Sequence, residues 1–132
     1  MIFLIKILLF TFIFNLNSFI KANENKISFK INNKIFSNLD VERRYKYIGI
    51  ISNLESDNLK DEDKNIILED YISSLIFYEY KNVNNLNFVD LNTQVDEFYI
   101  ENISKKLNLY DFNEEEILNI KENIKIDLIR KK

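Results

Sequence analysis

The sequence predicts a mainly α fold: four helices in an orthogonal arrangement with a short N-terminal β-hairpin. Three observations carry that expectation. Residues 65–82 contain no glycine or proline, and their apolar side chains recur every three or four positions. Residues 27–36 alternate apolar and polar around an asparagine pair. Two further periodic stretches follow polar residues suited to cap a helix.

Residues 1–22, MIFLIKILLFTFIFNLNSFIKA, combine an apolar run from Ile7 to Phe14 with Lys6 before it and a polar exit through Asn15, Asn17 and Ser18. This is the pattern of a secretory signal, with Ala22 the small residue of a cleavage site. The same stretch, if uncleaved, is close to the minimum length of a membrane anchor. Periplasmic export of a helical domain at 23–132 is therefore expected, with inner-membrane anchoring facing the periplasm as the alternative.

Ile27, Phe29 and Ile31 alternate with Ser28 and Lys30, Asn32 and Asn33 intervene, and Ile35 and Phe36 follow. Asparagine tolerates the positive φ of a two-residue hairpin turn, so the pair reads as the turn. Ser37 and Asp40 then suit the start of a helix to about Ile51, with Val41, Tyr45, Ile48 and Ile51 inward and Glu42, Arg43 and Lys46 outward. Residues 52–64, SNLESDNLKDEDK, read as a mobile acidic loop. Its carboxylates lack the glycine and the spacing of a calcium loop.

The helix over 65–82 is expected to organise the fold. At about 100° per residue, Ile67, Leu68, Tyr71, Ile72, Leu75 and Tyr78 share its broad inner face. Ile66, Phe77 and Tyr80 fall on the opposite, otherwise polar side and require a cover or a partner. After a connector, Asp90 or Asn92 caps a helix to about Leu107, with Val95, Phe98, Tyr99, Ile103 and Leu107 inward. Asn113 to Glu116 supply a reciprocal cap and an acidic first turn for the last helix, which ends in Arg130, Lys131 and Lys132. There Ile117, Ile120, Ile124 and Leu128 share one face, and Leu118, Ile126 and Ile129 lie on another.

Composition removes most chemistry. With no cysteine and no histidine, thiolate nucleophiles, disulfides, a lipoprotein anchor and histidine bases are excluded, and no cofactor or metal is expected. A single glycine, Gly49, leaves no phosphate-cradling loop. Loss of residues 1–22 removes Lys6 and Lys21 and no acid, so 18 basic residues become 16 against 21 acidic, a formal charge of −5. Such a chain lacks the basic patch that nucleic acid requires, and none is expected as a partner. Glu79 is the one acid that merits inspection as a catalytic group, and a lone glutamate does not make an enzyme.

The runs KINNKIFSNLDVERR (30–44), ILEDYISSLIFYEYKN (67–82) and VDEFYIENISKKLNL (95–109) together resemble the N-terminal domain of SurA-type periplasmic chaperones. The resemblance covers residues 26–109, and its motifs are structural rather than catalytic. Asn84 and Asn85 stand where that family usually has a glycine, and the parvulin domains of its isomerase members have no counterpart in the chain. The helix over 113–132 is the candidate substitute for the family's C-terminal segment.

The resemblance implies a non-enzymatic chaperone module that binds unfolded or outer-membrane protein segments. The peptide-binding residues expected from surplus apolar surface are Ile66, Phe77, Tyr80, Leu118, Ile126 and Ile129. A homodimer seam, a membrane-tethered adaptor, or docking on a separate parvulin-bearing partner in a peptidyl-prolyl isomerase system are the competing readings.

Overall fold

The computed structural model describes residues 26–84, 86, 90–109 and 112–131. Within them stand four helices and one two-stranded antiparallel hairpin, the architecture expected. The signal or anchor expected over residues 1–22 lies outside the described residues, as does the side chain of Leu107.

Strands β1 (Ile27–Ile31) and β2 (Lys34–Ser37) pair through Ile31 with Lys34, Lys30 with Ile35 and Phe29 with Phe36. The turn is the asparagine pair, and Asn32 takes φ 52°. An isolated two-stranded ribbon is marginal in water. Here it is held because Phe29 stacks on Phe36 at 5.0 Å, and both meet the edge of Tyr71 at 6.3 and 6.4 Å.

The chain passes directly from β2 into α1 (Asn38–Ser52). The Ser37 backbone N–H donates to Asp40 Oδ2 at 2.7 Å, and the Asp40 N–H donates back to Ser37 Oγ at 3.4 Å, a capping box that satisfies two backbone donors. The buried side chains of α1 are Val41, Arg44, Tyr47 and Ile50, whereas Tyr45, Ile48 and Ile51 are half-buried. The inner face is thus rotated from the one expected, because a charged residue, Arg44, sits at its centre.

Helix α1 ends on Asn53 at φ 56°, and the chain folds back so tightly that the Leu54 N–H donates to the Gly49 carbonyl at 2.8 Å. A Cβ on Gly49 would lie 2.6 Å from the Leu54 carbonyl oxygen. That oxygen belongs to the backbone, which cannot swing aside as a side chain would. Gly49→Ala is therefore expected to cost about 1–3 kcal/mol, the range for forced overpacking, measurable as a lower urea midpoint with an unchanged m-value.

The acidic stretch expected as a mobile loop through Lys64 is shorter than that. A single 3-10 turn at Ser56–Asn58 and the buried Leu59 lead straight into α2 (Asp61–Val83). Asp61, Glu62 and Asp63 form its first turn, where carboxylates complement the positive end of the helix dipole. Helix α3 (Leu91–Asn102) also ends earlier than expected and gives way to a 3-10 segment, Ser104–Leu109. Ile103 at that junction is fully buried.

Helix α4 (Glu114–Arg130) opens on a second capping box, Asn113 with Glu116. The Glu116 carboxyl is held below the ordinary glutamate range by its hydrogen bonds from Lys46 and from the Asn113 backbone. This helix, rather than the one over 65–82, organises the molecule, since it packs on α1, α2 and α3 alike. Ile120 and Ile124 join Tyr47, Ile50, Val95, Tyr99 and Ile103 in one cluster. Ile126 joins Tyr71 and Leu75 in a second, capped by Phe29, Ile31, Phe36 and Tyr78. Among the described residues no helix is long and apolar enough to cross a membrane.

Candidate functional site

Helix α2 turns Tyr71, Leu75 and Glu79 inward, and the opposite face therefore carries what the core does not take. Ile66 is 60% exposed, Phe77 39% and Tyr80 61%. Ile76 and Val83 lie on the same outward side and are equally open, as is Leu86 just beyond the helix. From Ile66 to Val83 the stripe runs about 26 Å at 1.5 Å per residue. Its C-terminal half is the densest part, with Ile76, Phe77, Tyr80 and Val83 at the spacing of one helix face.

One polar neighbour reaches over part of it. Lys81 turns inward, its ammonium 4.9 Å from the Phe77 ring centre and donating to the Ile129 carbonyl at 3.4 Å. Arg130 borders the stripe but is bound to Asp70 and to Ser74 Oγ, the latter at 3.0 Å. The hydrogen bond to Asp70 raises the guanidinium pKa above its ordinary value.

The six expected binding residues do not form one surface. Ile66, Phe77 and Tyr80 share the outward face of α2, and Leu118 is exposed on α4. Ile126 and Ile129 are 4% and 2% exposed, so the expectation that they present surface is corrected. Leu118 and Ile129 share a side of α4, about three turns apart. At the far end Ile129 shares the wall of a hollow with Asn82, Leu86, Asp90 and Leu91, from the end of α2 to the start of α3, while Ile126 enters the second cluster. Helix periodicity identifies a face but not how much of its length a neighbour covers.

Ile76 and Val83 belong to the stripe and were not expected there, although their spacing from Tyr80 was a usable signal. Arg44 offered none. It is 1% exposed, its guanidinium lies 5.2 Å from the ring centres of both Tyr47 and Tyr71, and Nη2 donates to Asp127 Oδ1 at 2.8 Å. Nη1 donates to Asn123 Oδ1 at 3.3 Å, and Asp70 approaches to 3.5 Å. Burial pushes the Tyr71 phenol up to about 12 and Tyr47 higher. The arrangement ties α1, α2 and α4 together and is structural.

Two concavities offer less. Glu79 is buried but accepts from Lys34 Nζ at 2.5 Å, a bond that raises the lysine pKa, and so fastens the hairpin to α2. The space beside it, about 170 Å³, includes Tyr78, whose hydroxyl donates to Glu122 at 3.2 Å. A broader groove of about 520 Å³ runs between α1 and the start of α4. It is crossed by two ion pairs, Arg43 with Glu115 at 2.5 Å and Lys46 with Glu116. Among the described residues no three potential metal-ligating side chains converge.

The outward face of α2 is thus the site with the most uncommitted apolar surface. Compared with known proteins, the chain matches no family model, no curated protein and no solved structure.

Proposed function

We propose that the chain is an exported, holdase-like module that takes extended apolar and aromatic segments of unfolded envelope proteins on the outward face of α2 and catalyses no reaction. One observation carries this reading: Ile76, Phe77, Tyr80 and Val83 stand exposed along one side of a helix whose other side is fully engaged in the core. Adaptable apolar contacts of this kind accept many sequences, which a binder of unfolded chains needs. Export is supported by the signal-like pattern of residues 1–22. The resemblance to the SurA-type N-domain points to the same client class, outer-membrane protein segments. Leu118 adds a contact point on α4.

The test is aggregation of an unfolded β-barrel membrane protein diluted from urea. The protein lacking residues 1–22 is expected to slow it at near-stoichiometric ratio. Phe77→Ser with Tyr80→Ser is expected to abolish protection while the circular dichroism and urea midpoint stay close to wild type, since both side chains are exposed. Absence of protection by the wild type, or full protection by the folded double variant, overturns the reading. So does a stable wild-type dimer that this double variant converts to monomer with no effect on aggregation.

A further inference from the structure

We infer that the preferred ligand of the α2 face is a polypeptide segment with a cationic end and an apolar, aromatic end. This deepens the proposed function and rests on it. The stripe is not uniform along its length. At about 100° per residue, Glu62 and Glu69 fall on the same outward line as Tyr80, with the uncharged Asn65 and Ser73 beside them. Both glutamates are exposed, and neither makes an ion pair with the described residues. The N-terminal half of the face is therefore acidic and the C-terminal half apolar, with Ile66 between the two glutamates.

The exposed Lys60 stands just before the helix, and the other cations near this face are turned elsewhere. Arg130 is held by Asp70, and Lys81 reaches inward to Ile129. Lys64, near the start of the helix, is half-buried on the opposite side, where it lines the α1–α4 groove. A ligand laid along α2 thus meets an excess of carboxylates at one end, Glu62 partly offset by the helix dipole and Glu69 beyond its reach, and mainly aliphatic and aromatic surface at the other. A segment carrying lysine or arginine a few residues from a bulky apolar cluster complements both. A segment with acidic residues in that place is repelled. From Glu62 to Val83 the face measures about 32 Å at 1.5 Å per residue. An extended ligand covers that span with roughly nine residues at about 3.4 Å each.

Two fluorescent nonapeptides test this by anisotropy. One has three lysines followed by a serine and five aromatic or aliphatic residues, and the other carries glutamine in place of each lysine. Wild type is expected to bind the lysine peptide about tenfold more tightly at low salt, with the preference shrinking as salt rises, since exposed pairs contribute modestly and are screened. Glu62→Gln with Glu69→Gln is expected to remove most of that preference and leave the glutamine peptide within about twofold, its contacts being apolar. Tyr80→Ser weakens both peptides alike.

Equal affinity of wild type for the two peptides, or a preference that survives the double glutamine variant, overturns the polarity inference and leaves the holdase reading intact. Binding of neither peptide overturns both. Thermal melts of the variants check folding, and Glu69→Gln alone, away from the helix terminus, keeps the test decisive if Glu62→Gln weakens the first turn.

Discussion

Arg44→Ala is expected to lower stability by about 3–5 kcal/mol, because it empties a fully buried site and leaves the half-buried Asp127 carboxylate without its partner. Asp127 accepts from Nη2 at 2.8 Å, and Asn123 accepts from Nη1 at 3.3 Å. Neither recovers an equivalent donor once the guanidinium is gone. The substitution also empties the slot between the Tyr47 and Tyr71 rings, where the flat guanidinium sits 5.2 Å from each ring centre. Lysine cannot repair this, since an ammonium lacks the planar fork that reaches two acceptors while stacking.

Urea unfolding of the single variant gives the magnitude. A double-mutant cycle with Asp127→Asn separates the pair from the packing. Because the single change leaves an uncompensated carboxylate, the combination is expected to cost less than the sum of its parts. Additivity within about 0.5 kcal/mol would show that the pair contributes nothing beyond its separate contacts.

Ile129→Ala is expected to cost about 2–5 kcal/mol, the range for emptying a buried aliphatic site, whereas Leu118→Ala on the same side of α4 stays within about 0.5 kcal/mol, as an exposed position should. Ile129 is 2% exposed and Leu118 69%. The contrast is measured by comparing urea midpoints at equal m-value. Similar losses at the two positions would mean that the far end of α4 is not buried in solution.

These two positions also show where sequence reasoning stops. What it read well is local. The asparagine hairpin turn and the caps Ser37 with Asp40 and Asn113 with Glu116 all join residues within a few positions of one another. Each is decided by nearby backbone donors before any tertiary contact forms. What it missed or misread depends on distant partners. Arg44 becomes an interior residue only because Asn123 and Asp127, 79 and 83 residues further along, are brought against it. Without them a charged side chain there would face water.

Ile126 and Ile129 fail for a related reason, since their periodicity is right but the crossing of α2 over α4 is not written in the spacing of α4 itself. The run Asp61, Glu62, Asp63 was ambiguous because carboxylates suit both a solvated loop and a first helical turn. On the candidate surface, Phe77 and Tyr80 were legible as apolar residues on a polar side. Ile76 was obscured by its neighbour Leu75 on the buried face, and Val83 by the expectation that the helix ends at Asn82 and gives way to a connector.

The position of α4 in the order of elements bears on biogenesis. Both interiors draw on this helix, Ile120 and Ile124 for one and Ile126 for the other. Neither can therefore close until residues 114–130 have emerged from the ribosome, and at roughly 5–20 residues per second the nascent polypeptide spends several seconds unable to complete its fold. On the proposed route out of the cytoplasm that delay is useful, because a translocation channel threads extended chains, and a precursor that cannot finish folding early remains fit to pass through it.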